Sequence, residues 1–185
     1  LALAGLLRRE DDTLRLAVVD AGGPPDFGET ADVGLRVSAV SPGSAALLER
    51  CGAWQAVCRS RIGTYTAMCV WDARGEARGS EALSFAADEL GLPELGHIVE
   101  NELIRHSLYR ALGGGDGGEG GIRWHFDTRV EGIEAGARAA RLALAGGGHL
   151  DAALVVGADG ARSAVRRLAG MPVRSRRYPQ DALVT

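Results

Sequence analysis

The stretch GADGARSAVRR, residues 157–167, brings together the residue types and spacing in this chain that come nearest to chemistry. It follows the apolar run LVV, which reads as a buried strand ending at Gly157. A glycine there lets a ligand approach the backbone, and Asp159 offers a carboxylate to a sugar hydroxyl. Gly160 keeps the turn open, and Ser163 and Arg166 begin a helix, where free N–H groups and the dipole favour anions. An Asp-Gly turn before a helix is common, so the motif alone has moderate specificity.

Asp20 closes the apolar run LAVVD and is a second candidate. An acid at the tip of the second strand of a dinucleotide-binding fold accepts hydrogen bonds from a ribose, and it stands about 20 residues after a GxGxxG turn. That spacing places the glycine turn at or just before Leu1. The plainer alternative is an exposed acid after a strand. Residues 113–121, GGGDGGEGG, are no substitute for the turn. They follow a helix and precede a strand, whereas a phosphate-binding turn must open a helix, so this run reads as a linker.

His97 and Glu100 give the one suggestive ligand spacing, three apart on what reads as a helix; a solvated helix start is the expected reading, and no metal site is expected. Cys51, Cys58 and Cys69 are odd in number and lack CxxC spacing, which argues against a disulfide framework or a zinc site and for a reducing, cytosolic setting.

These candidates need a scaffold, and 185 residues suffice for one ordinary domain or for one with part of a second. Hydrophobic residues make up 46 % and charged residues 24 %, with a net charge of −3, as in a globular protein with no basic surplus for nucleic acid. The longest apolar runs, LALAGLL and AALVVGA, fall far short of the roughly 18 residues needed to span a bilayer. Arg8 and Arg9 follow the first run, the reverse of a signal peptide, and no initiator Met is present, so the chain reads as beginning in mid-sequence.

Residues 1–10 read as a helix and LRLAVVDAG as a strand, an order that suggests a parallel sheet. LRVSAV reads as a strand. SPGSAALLERCGAW has the marks of a helix, with Ser41 as N-cap, Pro42 in the first turn and Gly52 as the stop. IGTYTAMCVWD, residues 62–72, has strand composition, and ALSFAADELG is either a short extended piece or a brief helix. LGHIVENELIRHSLYRALGGG gives the clearest helical spacing, through Val99, Leu103, Leu108, Ala111 and Leu112. IRWHFDTRVEGIEA reads as a strand. ARLALAGGGHLDAALVVGADG reads as a hairpin turning at Gly146–Gly148, then the strand into Gly157. This order predicts an α/β chain, a Rossmann-like three-layer nucleotide-binding fold with an inserted β segment.

LVVGADGARSAVRRLAG resembles the Asp-Gly motif of flavin-dependent aromatic monooxygenases with a single FAD/NAD(P)H-binding domain. LRVSAVSPGSAALLERCGAW, LGHIVENELIRHSL and the terminal YPQDALVT are similar to the ubiquinone-biosynthesis hydroxylases within that group. The resemblance covers nearly the whole chain. It implies an FAD-binding fold truncated at both ends, with 1–61 and 97–175 as FAD-binding parts, 62–96 as a β segment of a substrate-binding domain, and 176–185 as the start of another strand of that domain. By the same resemblance Asp20 would hold the adenosine ribose, although the family more often has Glu there. Arg36 would lie near the flavin or pyrophosphate, Asn101 would face the ribityl-pyrophosphate region, and Val130 would meet the adenine through its backbone. Asp159 and Gly160 would contact the FAD sugar or pyrophosphate, and Arg166 would serve the pyridine nucleotide. A surface ion pair for Arg36, an exposed helix position for Asn101 and a helix-flank role for Arg166 are the bland alternatives.

The implied activity is hydroxylation of an aromatic ring with FAD, NAD(P)H and O2, on a polyprenylated phenol of ubiquinone biosynthesis. The complete protein would then work in the cytoplasm, or on the matrix side in a mitochondrion, against the inner membrane or within a biosynthetic complex. A family motif whose Asp meets the flavin ribityl chain would lie beyond Thr185, and Arg177 stands where the family often has an aromatic residue. The rivals are a non-catalytic nucleotide-binding or interaction module, and another flavoenzyme of the same fold such as a halogenase or reductase. With the glycine cradle placed before Leu1, the 185 residues alone are expected to bind FAD weakly or not at all. Micromolar or tighter binding in a flavin-fluorescence titration would contradict this.

Overall fold

The structure is a computed structural model that describes residues 1–28, 32–77, 79–115 and 121–180. Helices and runs of strands are interspersed along the chain, and the described strands form four small sheets. The elements group into two compact units: residues 1–18 with 23–124, and residues 19–22 with 125–180 among those described.

The first unit opens with α1 (Ala2–Glu10), whose Leu- and Ala-rich sequence favours a helix and whose last turn carries Arg8 and Arg9. Strand β1 (Leu16–Val19) follows and pairs with β7 (Ile122–His125). Strand β2 (Val37–Val40) leads into α2 (Pro42–Arg50). The Ser41 side chain accepts the Ser44 N–H at 3.3 Å, and Pro42 occupies the first turn, where no N–H is needed. Gly52, at φ +77°, ends this helix as anticipated. A separate helix, α3 (Trp54–Arg59), then starts at once. The expected single strand over 62–72 is two, β3 (Gly63–Tyr65) and β4 (Ala67–Val70), which belong to different sheets. The ambiguous segment ALSFAADELG resolves into both alternatives, β5 (Leu83–Ala86) and a 3-10 turn at Asp88–Leu90.

The helix expected from residue 95 onward begins six residues later. Gly96–Glu100 is strand β6, and α4 runs Asn101–Ala111. β6 is the centre of an antiparallel sheet in the order β2-β6-β3, with Val37 opposite Glu100, Val40 opposite His97, and Gly63 opposite Ile98. Val99 matched the helical spacing because the strand-to-helix junction happens to keep it in phase with Leu103. The β-branched pair decides for strand, Ile98 with ladder partners on both sides and Val99 opposite Ser38. His97 and Glu100 consequently point to opposite faces of a strand and share no helix face. Both are buried, so the reading as a solvated helix start is also overturned.

The core of this unit lies between the His97 and Val99 face of the sheet and the helices. Val40, Leu48, Ala53, Val57, Val99, Leu103 and Leu108 are buried there, with Trp54, Ile62 and Ile104 packed against them. Gly5 of α1 lets that helix approach Cys51, since an added Cβ would lie 3.2 Å from the Cys51 side chain. The hairpin β4–β5 is different. Met68 pairs with Phe85 and Val70 with Leu83, so one face is wholly apolar, and all four side chains are exposed.

In the second unit, β8 (Val130–Ala135), β9 (Ala140–Leu144) and β10 (His149–Ala152) form an antiparallel sheet in the order β10-β9-β8. The expected hairpin turn is present, with Gly146 and Gly147 at φ +87° and +92°. The single strand expected over 122–135 is broken between β7 and β8, where Asp127 adopts φ +50°, a conformation Asp tolerates. Residues 153–158 form no strand, against expectation, and Leu154 and Val156 are 77 % and 52 % exposed. No described strand runs beside them, and without a ladder partner an extended apolar segment stays solvated. Helix α5 (Ala164–Leu168) follows and packs on β8. Residues 176–180 carry no strand, while 181–185 and the glycines at 117, 118 and 120 lie outside the described residues. The sheets β2-β6-β3, β4-β5 and β10-β9-β8 are antiparallel.

Two substitutions test this architecture. Val57 is fully buried, and Val57→Ala should destabilise the unit by about 2 kcal/mol. An added Cβ at Gly96 would lie 2.6 Å from the Val40 carbonyl oxygen, which would push β6 away from β2. Gly96→Ala should cost about 1–3 kcal/mol, read as a lower urea midpoint.

Candidate functional site

The candidate residues fall into two groups. Arg36 and Asn101 belong to the first unit; Asp20, Val130, Asp159, Gly160 and Arg166 belong to the second.

In the first unit the antiparallel register brings the start of β2 to the end of β6, and so to the first residue of α4. The Asn101 N–H donates to the Arg36 carbonyl at 3.0 Å, and the Ser38 hydroxyl donates to Asn101 Oδ1 at 2.6 Å. This leaves the Asn101 side-chain amide as a donor. The Arg36 side chain is exposed and takes no ion pair among the described residues. The two residues are therefore held together through backbone while both present donor groups.

Beside them lies a group that sequence spacing did not reveal. The Glu100 side chain, 8 % exposed, accepts Arg61 Nε–H at 2.7 Å on one oxygen and Arg61 Nη2–H at 3.2 Å on the other. The Gly34 N–H adds a third bond at 2.6 Å. The partners are 39 and 66 residues away, beyond the reach of any local pattern. The Arg61 guanidinium holds the Glu100 carboxyl below the usual carboxylate range, helped by the Gly34 N–H and opposed by burial. Arg61 also lies over the Phe27 ring, 5.2 Å from its centre. Next to this pair is an open cavity of about 240 Å³ walled by Val33, Val37, Ile62 and Ile98.

His97 is occupied elsewhere. Its Nδ1 lies 3.1 Å from Thr64 Oγ1 and its Nε2 lies 2.9 Å from Glu94 Oε1, and Trp54 packs on its ring.

In the second unit Asp20 accepts the Gly22 N–H on its own side chain at 2.9 Å. Its backbone N–H donates to the His125 carbonyl, and its carbonyl accepts the Thr128 N–H. These bonds set Asp20 beside the segment that leads into Val130. Val130 opens β8 opposite Leu144, next to a register shift, on the outer strand of its sheet. The opposite edge of β8 has no strand beside it among the described residues, so backbone groups of the kind that could read a base edge are left there.

Asp159 is committed to the turn that precedes α5. It accepts the Ser163 hydroxyl in a short bond and the N–H groups of Ala164 and Val165 at 2.6 and 3.1 Å. Ser163 in turn accepts the Arg166 N–H at 2.9 Å, and Arg166 Nη2–H donates to the Ala161 carbonyl at 2.9 Å. The Ser163 hydroxyl first, then the two N–H groups, hold the Asp159 carboxyl below its usual range. Gly160, at φ +80°, has open space where a Cβ would stand, so its backbone is approachable.

The chain as a whole is similar to known proteins. Over 157 residues the chain is 33 % identical to the mitochondrial ubiquinone biosynthesis monooxygenase COQ6 of Mus musculus, covering 80 % of this chain and 31 % of that protein. Over 176 residues it is 31 % identical to the 3-demethoxyubiquinol 3-hydroxylase of Escherichia coli K12, covering 91 % of this chain and 41 % of that one. Its homologues are ubiquinone-biosynthesis hydroxylases. Among solved structures, PqsL, a probable FAD-dependent monooxygenase from Pseudomonas aeruginosa, superimposes with a TM-score of 0.70 at 25 % identity, over 96 % of this chain and 44 % of that one. No family model matches the chain. The chain thus spans between 31 % and 41 % of the length of these two curated relatives.

The geometry of the second unit predicts a pH dependence. A carboxylate whose folded pKa is depressed contributes its full stabilisation above its unfolded value, near 3.9 for Asp, and loses it as pH falls through the folded value. Amide hydrogens of Ala164 and Val165 should therefore exchange faster, relative to intrinsic rates, as pH drops from about 5 toward 3. Asp159→Asn should remove that dependence, and Ser163→Ala should cost about 1 kcal/mol by loss of the cap.

Proposed function

We propose that this chain is part of an FAD-dependent monooxygenase that hydroxylates an aromatic ring, and that the ring is a polyprenylated phenol on the route to ubiquinone. The observation that carries this reading is the identity of 31 % and 33 % to two ubiquinone-biosynthesis hydroxylases over 80–91 % of the chain. The likeness to the PqsL fold supports it, and with it a Rossmann-like arrangement in which 1–61 and 97–175 serve FAD and 62–96 and 176–185 serve the substrate.

The residues present suit FAD. Arg36 is a cation that takes no ion pair among the described residues and suits a phosphate, and Asn101 keeps an amide donor for a phosphate or ribityl oxygen. Gly160 leaves its backbone approachable in a turn that the Asp159 carboxylate holds, a reading that sets Asp159 and Gly160 against the FAD sugar or pyrophosphate and Asp20 against the adenosine ribose. The outer edge of β8 at Val130 offers backbone groups to the adenine, and Arg166 is assigned to the pyridine nucleotide. Bound FAD, reduced by NAD(P)H, supplies the activation of O2 and the transfer of one oxygen atom to an electron-rich ring. The work of the chain is to bind and orient, and no acid–base pair is asked of it. Asp159 and Glu100, held ionised well below neutral pH, are acceptors and carry no proton to the ring. A lipophilic substrate would bring the complete protein to the inner-membrane surface or to a biosynthetic assembly.

The test uses the complete gene product that contains this chain. It should retain FAD and oxidise NADH or NADPH faster in the presence of a polyprenylated phenol. One atom of 18O from labelled O2 should appear in the product. Oxidation indifferent to every phenol, or a halogenated product, would remove the hydroxylase reading.

A further inference from the structure

We infer that Glu100 and Arg61 are positioning residues for the flavin nucleotide. Their closed carboxylate–guanidinium pair, anchored on the Gly34 N–H, holds Arg36 and Asn101 as a preformed donor set and leaves the charge of Arg36, which takes no ion pair among the described residues, to the ligand. The inference rests on the FAD reading above.

Residues 34–38 are tied at alternate positions to two consecutive residues. The Gly34 N–H meets Glu100, the Arg36 carbonyl meets the Asn101 N–H, and the Ser38 hydroxyl meets Asn101 Oδ1. Arg36 therefore sits between fixed points on a strand whose register, Val37 opposite Glu100, is set by the same residue. Gly34 itself fits closely, since an added Cβ would lie 3.2 Å from Glu100 Oε1.

Arg61 has a second consequence, which is one of charge. A buried carboxylate without a cation would either draw in the nearest guanidinium or repel an incoming phosphate. Arg61 takes both oxygens of Glu100 in a forked contact, a geometry that lysine cannot reproduce. The carboxylate is thereby neutralised within the fold, and the exposed Arg36 remains the cation that a phosphate meets.

The test measures FAD affinity of the complete gene product by flavin-fluorescence titration, with Glu100→Gln, Arg36→Ala, the double variant, and Val57→Ala as a control that loosens the same core without touching this network. Glu100→Gln should weaken FAD binding at least tenfold. Its loss should be strongly non-additive with that of Arg36→Ala, because an arginine that is no longer held has less to lose. Val57→Ala, titrated well below its melting temperature, should bind as the unsubstituted protein does. Ser38→Ala, which spares the ion pair, should lose three- to tenfold and decides the matter if Glu100→Gln does not fold. Unchanged affinity in Glu100→Gln, additive losses, an equal loss in Val57→Ala, or, where Glu100→Gln does not fold, unchanged affinity in Ser38→Ala would overturn the positioning role and leave the flavin reading standing. An unsubstituted protein that binds no FAD would overturn both.

Discussion

A carboxylate taken out of water must find its partners inside the protein, and Glu100 finds them on two separate segments. The penalty for burying an unpaired charge is several kcal/mol, so the backbone at Gly34 and the guanidinium of Arg61 have little freedom once Glu100 is in place. The three residues meet because β6 lies between β2 and β3: Gly34 precedes one outer strand, Arg61 precedes the other, and Glu100 ends the centre. A hydrophobic cluster of the same shape would hold the strands at least as firmly, since buried ion pairs rarely surpass well-packed apolar groups in stability. What the ion pair adds is direction, because its hydrogen bonds fix which backbone groups face which.

The second unit uses a carboxylate differently. Asp159 is exposed, and its bonds are local, reaching residues four to six positions ahead. It satisfies the N–H groups that a five-residue helix cannot bond internally, a large share of the polar demand of so short an element. Both acids are held ionised, yet one organises distant strands and the other a single turn. Proton transfer near neutral pH suits neither, which agrees with the function proposed above, in which the cofactor makes the bond.

Local signals were legible in the sequence and non-local ones were not. Ser41 followed by Pro42 marked the start of α2 through a side-chain cap and a first-turn proline, and Gly52 and the glycines at 146 and 147 marked its end and the β9–β10 turn through positive φ angles that few other residues adopt. Asp159 was readable as a turn residue before a helix from the Asp-Gly pair it forms with Gly160, although its commitment to capping that helix was not. β6 was misread because Val99 and Leu103 satisfy a helical period across a junction, and periodicity cannot see the ladder partners that make Gly96–Glu100 a strand. LVV was misread in the opposite sense. Its composition is that of a strand, but a strand is a relation between two segments, and none of the described ones lies alongside it.

The division of labour between the two arginines is a property of the fold and not of the residue type. Arg36 and Arg61 each stand next to a strand of the same sheet, and nothing in their neighbours in sequence says which will take the single buried acid at its end. The antiparallel register settles it: Val37 is opposite Glu100, so successive side chains put Arg36 on the other side of its strand from the carboxylate. Arg61, just before β3, forks its guanidinium onto both oxygens. One positive charge is thus consumed in holding the frame and the other is left in solvent. A shift of β2 by a single residue would exchange those faces, and with them the sign of what an approaching phosphate encounters.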